Sequence, residues 1–337
     1  MTNTSRRQFL TRTAAGVAGL TVLGMPTILR AQAKTLRLSH HLAPDHLVDV
    51  ASKRFAAIVA EKSGGALKID VFPAGQLAGL RQGAEAAQVG TVDFVWTDFG
   101  TLANWIKPFG FVSLPFLFRD ENHALAVFKG DVGKALGTEM RDNLNLEALG
   151  YGIAGFRVIA TKGRAVNEPG DLSGLKIRVP EVPVYVSAFK KLGANPTPMA
   201  WGEVYTALQT QVIDAVENPS EGLFVGKIQE VTTNVARTYH IMTDVNLVAS
   251  SLAVDGLPAD QAAIVREAAA TAVDEFNTKS IENGGKFWDQ LAATLQANPN
   301  PNRDAFKQAL LPVWDEMDAA AGGEMKTWIE KTQAVSG

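Results

Sequence analysis

Two arginines and one amide stand where this sequence is most strongly β-patterned, and together they suit the capture of a small anion. Arg178 lies in the run Leu175 to Val179, where leucine, isoleucine and valine alternate with Lys176 and Arg178, the period of a half-buried strand. Pro180 follows at once and stops that strand, because proline has no N–H to give to a ladder. Arg178 is therefore predicted at a strand's carboxyl end, where open α/β sheets bind ligands. Arg157 lies inside a second β-rich run, Phe156 to Ala160. Asn218 closes a third, Ile213 to Glu217, and Pro219 biases it to extended geometry. A lone strand arginine ordinarily makes a salt bridge. A guanidinium fork at a strand end, however, matches a carboxylate with two parallel hydrogen bonds.

The elements that must hold these groups follow from the periodicity. Val184, Ala188, Phe189 and Leu192 form one face of a helix ended by Gly193, and Trp201 opens another with Val204, Ala207 and Leu208 inward. Upstream, Lys34 to Ser39 reads as an opening strand and Val48 to Glu61 as a helix. A strand over Leu67 to Phe72, a helix over Leu80 to Val89 and a strand over Val92 to Trp96 come next. This alternation points to a mostly parallel α/β sheet. Phe109 to Phe118, rich in aromatics and prolines, is read as core packing. Leu146 to Gly152 begins a strand running on toward Arg157, and Thr243 to Ala249 gives the return. A helical pattern then runs from Pro258 to Ala297 with Gly284-Gly285 as a kink point.

The first 33 residues carry Arg6-Arg7, an apolar run from Ala14 to Met25 and an Ala31-Gln32-Ala33 ending, the layout of a twin-arginine signal peptide cleaved near Ala33. That run is too short for a permanent membrane span. The segment holds four of the 32 basic residues and no acid, so 28 basic residues face 35 acidic ones in the mature chain, a net charge of −7. Nucleic-acid and anionic-lipid surfaces are thereby disfavoured, and any anion site must be built locally. The chain contains no cysteine, which excludes disulfides, thiolate metal sites and a lipidated cysteine anchor. A soluble periplasmic product of two lobes is expected, because the mature length exceeds the usual single core.

Other motifs were weighed and set aside. Gly150-Tyr151-Gly152-Ile153-Ala154-Gly155 matches a dinucleotide fingerprint, but β-patterned residues follow it where a helix N-terminus must receive the phosphates. Its glycines are read as easing a crossing strand. His40, His41 and His46 lack the spacing of a zinc site. No nucleophile elbow or paired-carboxylate constellation supports an enzyme. No cofactor or metal is expected.

Several words in fixed order resemble the solute-binding proteins of tripartite ATP-independent periplasmic (TRAP) transporters. They are GFR at 155–157, DLSGLKIRVPE at 171–181, LGANPTPM at 192–199, EVYTALQT at 203–210 and DAVENP at 214–219. VFPAGQLAG, GTVDF and LPFLFRD extend the resemblance upstream, so that it covers roughly residues 36 to 297. The resemblance implies a type II-like, two-lobed α/β binding protein with a cleft at the hinge and a long helix spanning both lobes. It places lobe I at 34–154 and 244–283, and lobe II at 155–243 and 284–337. It makes Arg178 the principal carboxylate anchor, Arg157 a second cation and Asn218 the amide partner. Trp201 packs on the ligand skeleton, while Asp98 and His41 line the first-lobe side. The implied function is capture of a small organic acid by a monomer, for delivery to TRAP permease membrane subunits. The rival readings are a binding protein of an ATP-driven importer or sensor, and a periplasmic hydrolase or lyase. The identity of the acid, whether a C4-dicarboxylate, a sugar acid or a 2-oxo acid, stays open.

Overall fold

The computed structural model describes residues 33–336; the twin-arginine signal lies outside the described residues, apart from Ala33 at its proposed end. The chain begins β1 (Lys34–Ser39), α1 (Leu47–Lys62), β2 (Leu67–Phe72), α2 (Leu80–Gln88), β3 (Phe94–Thr97) and the short α3 (Phe99–Leu102). A 3₁₀ turn over Lys107–Ser113 precedes α4 (Glu121–Lys129), α5 (Asp131–Leu144) and the long β4 (Leu146–Thr161). Next come β5 (Lys176–Val179), α6 (Pro183–Lys191), β6 (Asn195–Pro198), α7 (Val204–Gln209), β7 (Ala215–Pro219) and α8 (Ser220–Val225). After β8 (Asn234–Ala236), β9 (Met242–Ser250) and α9 (Ser251–Asp255), the 36-residue α10 (Ala259–Thr294) leads to β10 (Gln296–Asn298). Three helices close the chain, α11 (Arg303–Leu310), α12 (Pro312–Ala320) and α13 (Met325–Ala334).

The strands form two sheets that share β4. Strands β2, β1, β3 and β9 lie in that order beside its first part, and β7, β5 and β6 continue from its second part. β4 pairs with β9 up to Phe156 and with β7 from Arg157 onward, so Arg157 is its first residue in the second sheet. The sheet is mixed rather than mostly parallel. β1 with β2 and β3, β5 with β6 and β7, and β8 with β10 are parallel, whereas β3–β9, β4–β9, β4–β7 and β4–β8 are antiparallel. Every antiparallel pair involves β4 or β9, the two strands that return the chain through the middle. Strand–helix alternation reveals the crossovers but is blind to such long returns.

The glycines of the rejected fingerprint sit inside β4. A Cβ on Gly152 would run into the Val245 carbonyl oxygen of β9, and Gly155 adopts φ +99°, a conformation open to glycine alone at little cost. The register shifts between Ile153 and Gly155, so the strand bends where it leaves one sheet for the other.

The core follows the same division. Phe55, Phe94, Trp96 and Leu247 pack with Val265, Ala269 and Phe276 of α10, while Val158, Leu208 and Val216 pack with Trp288 and Leu291 farther along the same helix. At 1.5 Å per residue α10 covers about 54 Å, enough to serve both clusters. It runs unbroken through Gly284-Gly285 and ends at Thr294, three residues short of the periodic pattern, because Gln296–Asn298 leave to pair with β8. Phe109, Phe111, Val112 and Leu114 are buried in a third cluster, together with Phe306, Leu310 and Met325 of the closing helices. None of the helices among the described residues is long and apolar enough to cross a membrane.

Candidate functional site

A cavity of about 320 Å³ opens where the two sheets meet, and Arg178, Arg157, Asn218, Trp201, Asp98 and His41 all line it. Arg178 enters from the penultimate position of β5, paired in register with Thr197 and Val216 on either side. Its Nε donates to the Met199 carbonyl at 2.9 Å and its guanidinium lies 5.4 Å from the Trp201 ring centroid. Only 5% of the residue is exposed. Burial lowers its pKa to about 10, with Glu217 acting against that and Arg157 reinforcing it, so it stays charged at neutral pH. Among the described residues it has no carboxylate partner and its two Nη groups make no hydrogen bond. A buried fork in that condition has donors free that could serve an anion.

Arg157 is differently placed. Its Nε and Nη2 grip the Glu217 carboxylate, Nη2 also donates to the Glu217 carbonyl at 2.8 Å, and Nη1 donates to Thr243 Oγ1 at 3.0 Å. The Tyr185 ring lies 4.9 Å from its guanidinium carbon. Glu217 also accepts from His240 Nε2 at 3.3 Å, while Thr238 bonds His240 Nδ1 at 2.8 Å. Burial drives the His240 pKa down, so the ring is neutral and its proton sits on Nε2. Burial alone would raise Glu217, yet the charge of Arg157 and the His240 bond hold it below the ordinary carboxylate range. The charge of Arg157 is thus spent inside the protein.

The opposite wall comes from the first sheet. Asp98 follows β3 and caps α3, its Oδ1 accepting the Thr101 N–H at 2.5 Å. Asp244, on β9, accepts through Oδ2 from Phe99 N–H at 2.9 Å and from Asn246 Nδ2 at 2.6 Å. Burial, and then the neighbouring Asp98, push its pKa up to about 7; burial likewise raises Asp98 against the two arginines. His41 is partly open to the cavity, with its pKa lowered to about 3 by burial and its buried Nδ1 unpartnered. His40 does not line the cavity and instead bonds Asp49 Oδ1 at 3.3 Å. His46 also reaches the cavity and caps α1, its Nδ1 accepting from Val48 N–H at 3.2 Å.

Glu217, Tyr185, Thr243, Asp244 and Glu221 join the site without having been singled out in the sequence. Two of them left a trace. Glu217 is the residue before Asn218, and Asp244 is the one charged residue in the β-patterned run Thr243 to Ala249. Tyr185 and Glu221 look like ordinary helix residues.

A cavity with charged groups on both walls, between two sheets that share β4, is the architecture of a two-lobed ligand-capturing receptor. The chain belongs to the bacterial extracellular solute-binding protein family 7, whose profile matches residues 38–320. A solute-binding protein of Verminephrobacter eiseniae is 34% identical over 286 residues, covering 83% of each chain. The C4-dicarboxylate-binding periplasmic protein of Rhodobacter capsulatus is 30% identical over 325 residues, 94% of this chain and 96% of that one. Among solved structures, a TRAP periplasmic solute-binding protein of Sulfitobacter sp., with bound β-D-galacturonate, matches at a TM-score of 0.86 and 28% identity. That match covers 90% of this chain and 100% of that one. The protein is a periplasmic solute-binding receptor of the TRAP type, working with membrane permease subunits; it is not an enzyme. Neither an ATP-driven importer nor a hydrolase reading survives this membership.

Proposed function

We propose that this receptor captures a small organic acid by its carboxylate, with Arg178 as the anchor. The observation that carries the reading is the buried guanidinium of Arg178, which faces the cavity with both Nη groups unpaired while its neighbour Arg157 is committed to Glu217. Arg157, neutralised by Glu217, holds the wall beside the anchor. Asn218 supplies the amide, Trp201 the apolar face for the carbon skeleton, and Asp98 and His41 the polar contacts of the first-sheet wall. The shared β4, with its neighbour β9, forms the hinge between lobe I (34–154 and 244–283) and lobe II (155–243 and 284–337), which close over the acid. The partner switch of β4 at Phe156 and Arg157 supports that division.

The test is calorimetric titration of C4-dicarboxylates, sugar acids and 2-oxo acids into wild type, Arg178→Ala and Arg178→Lys. Removing one partner of a buried ion pair costs about 3–5 kcal/mol, or roughly 10²- to 10⁴-fold in Kd. Arg178→Lys keeps the charge but loses the fork, and should still lose much of the affinity. Small-angle scattering of wild type during the same titration should record a falling radius of gyration as the lobes close. A folded Arg178→Ala protein of wild-type affinity would remove the anchor from the site.

A further inference from the structure

We infer that the first-sheet wall of this cavity, through Asp244 and Asp98, selects a polyhydroxy monocarboxylate and refuses a dicarboxylate of the same length. The inference rests on Arg178 holding the ligand's carboxylate and names what the other end of that ligand must be. Its basis is a count of charges within one enclosed space. Three cations line the cavity, Arg81, Arg157 and Arg178. Arg157 is committed to Glu217, and Arg81, half-exposed at the rim, pairs with Glu85 at 3.3 Å. Among the described residues Arg178 is therefore the one lining cation without a carboxylate partner, and it can neutralise one ligand carboxylate. His41 and His46 add no charge, because burial holds the pKa of each near 3.

Asp244 and Asp98 face the same space without a cationic partner among the described residues, although Asp244 is only 3% exposed. A second ligand carboxylate placed against them would be a third buried carboxyl in one cluster, and like charges in a low-dielectric pocket repel strongly. A hydroxyl suits that wall. Burial and mutual repulsion keep a proton on the pair near neutrality, so the wall presents both donors and acceptors, and a hydroxyl is the group that answers both. Phe99 N–H and Asn246 Nδ2 occupy one oxygen of Asp244, which fixes the carboxyl and leaves Oδ1 for the ligand.

Matched acids that differ only at the terminal carbon test this: erythronate against meso-tartrate, and galactonate against galactarate. Each is titrated calorimetrically into wild type, Asp244→Asn, Asp98→Asn and Arg178→Ala. Wild type should bind each monoacid at least tenfold more tightly than its diacid. Either asparagine variant keeps the side chain's shape and its backbone hydrogen bond, removes one of the wall's two ionisable carboxyls, and should narrow that ratio about tenfold. Equal or tighter binding of the diacids overturns the inference, as does a ratio unchanged in both asparagine variants, or a wild type that takes neither monoacid. Arg178→Ala keeps the two readings apart. Loss of all four acids in that variant, with an unchanged ratio in the asparagine variants, removes the selectivity wall and leaves the anchor. Retention of all four removes the anchor.

Discussion

Glu221 links the two halves of the molecule through a titratable group, and its ionisation should be visible in the stability of the whole chain. It stands on α8 directly after β7, and its Oε1 accepts the Leu47 N–H at 2.7 Å at the start of α1, while Oε2 lies 3.8 Å from His46 Nε2. Its side chain is 6% exposed. Burial pushes its pKa from the ordinary 4.5 up to about 7, with the Leu47 bond acting in the other direction. A carboxyl whose folded pKa is raised contributes its full stability below the unfolded pKa and loses it as pH climbs through the folded one. The loss therefore runs from about pH 4.5 to about pH 7 and is complete above that. At about 1.36 kcal/mol per pH unit, ionised Glu221 costs about 3 kcal/mol at pH 8. Glu221→Gln retains an acceptor for Leu47 and drops the charge. The variant should exceed wild type by about 3 kcal/mol near pH 8 and by less than about 1 kcal/mol near pH 5. For a chain of this size that is a Tm difference of about 6 °C at the alkaline end. Thermal unfolding of both proteins across this pH range measures it. Parallel Tm curves would refute the assignment of a raised, ionisable Glu221 at the α1 contact.

Two further outcomes follow from the same structure. Glu217→Ala strands Arg157 as an unpaired buried cation, so urea unfolding should reveal a loss of about 3–5 kcal/mol; an unchanged midpoint would mean that solvent replaces the carboxylate. Arg6-Arg7 and the Ala31-Gln32-Ala33 ending motivate the proposal that the chain is exported through the twin-arginine route and cut near Ala33. Mass spectrometry of periplasmic protein should then read an N-terminus at or near Lys34, and Arg6→Lys with Arg7→Lys should leave the precursor in the cytoplasm; an unaltered export level would sink the route.

What was legible in the sequence divides along physical lines. β1 and β2 fall on the predicted residues, and β5 within one, because alternation over a half-buried surface is written locally. Asp98, Arg178 and Asn218 line one cavity because strand ends in an α/β sheet converge on its carboxyl edge, whereas Arg157 reaches it from inside β4, Trp201 from the turn before α7 and His41 from the loop after β1. Partnership was not readable. That Arg157 grips Glu217 depends on β4 and β7 being antiparallel, with Arg157 opposite Pro219 and Ile159 opposite Glu217. No local pattern carries that register. The closing helices were missed for a related reason: α12 buries only Val313 among its own residues, so its apolar stripe is too thin to announce itself.

The contrast between the two arginines shows how the same residue type acquires different work from its surroundings. Both are nearly fully buried, on strands of one sheet, at the edge of one cavity. Arg157 has Glu217 within bidentate reach, and its pKa rises, the mark of a cation stabilised by an internal anion. Arg178 has a backbone carbonyl and an aromatic face, and its pKa falls, the mark of a cation held in a desolvated place without its counter-charge. On the proposed binding mode that deficit is made good when the ligand's carboxylate arrives, so the cost of burying Arg178 is returned on binding rather than on folding. Arg157 and Glu217 meanwhile brace the wall beside it as a neutral pair. On the proposed binding mode the cavity keeps one cation in reserve, and the acids of the facing wall limit what that cation can bring with it.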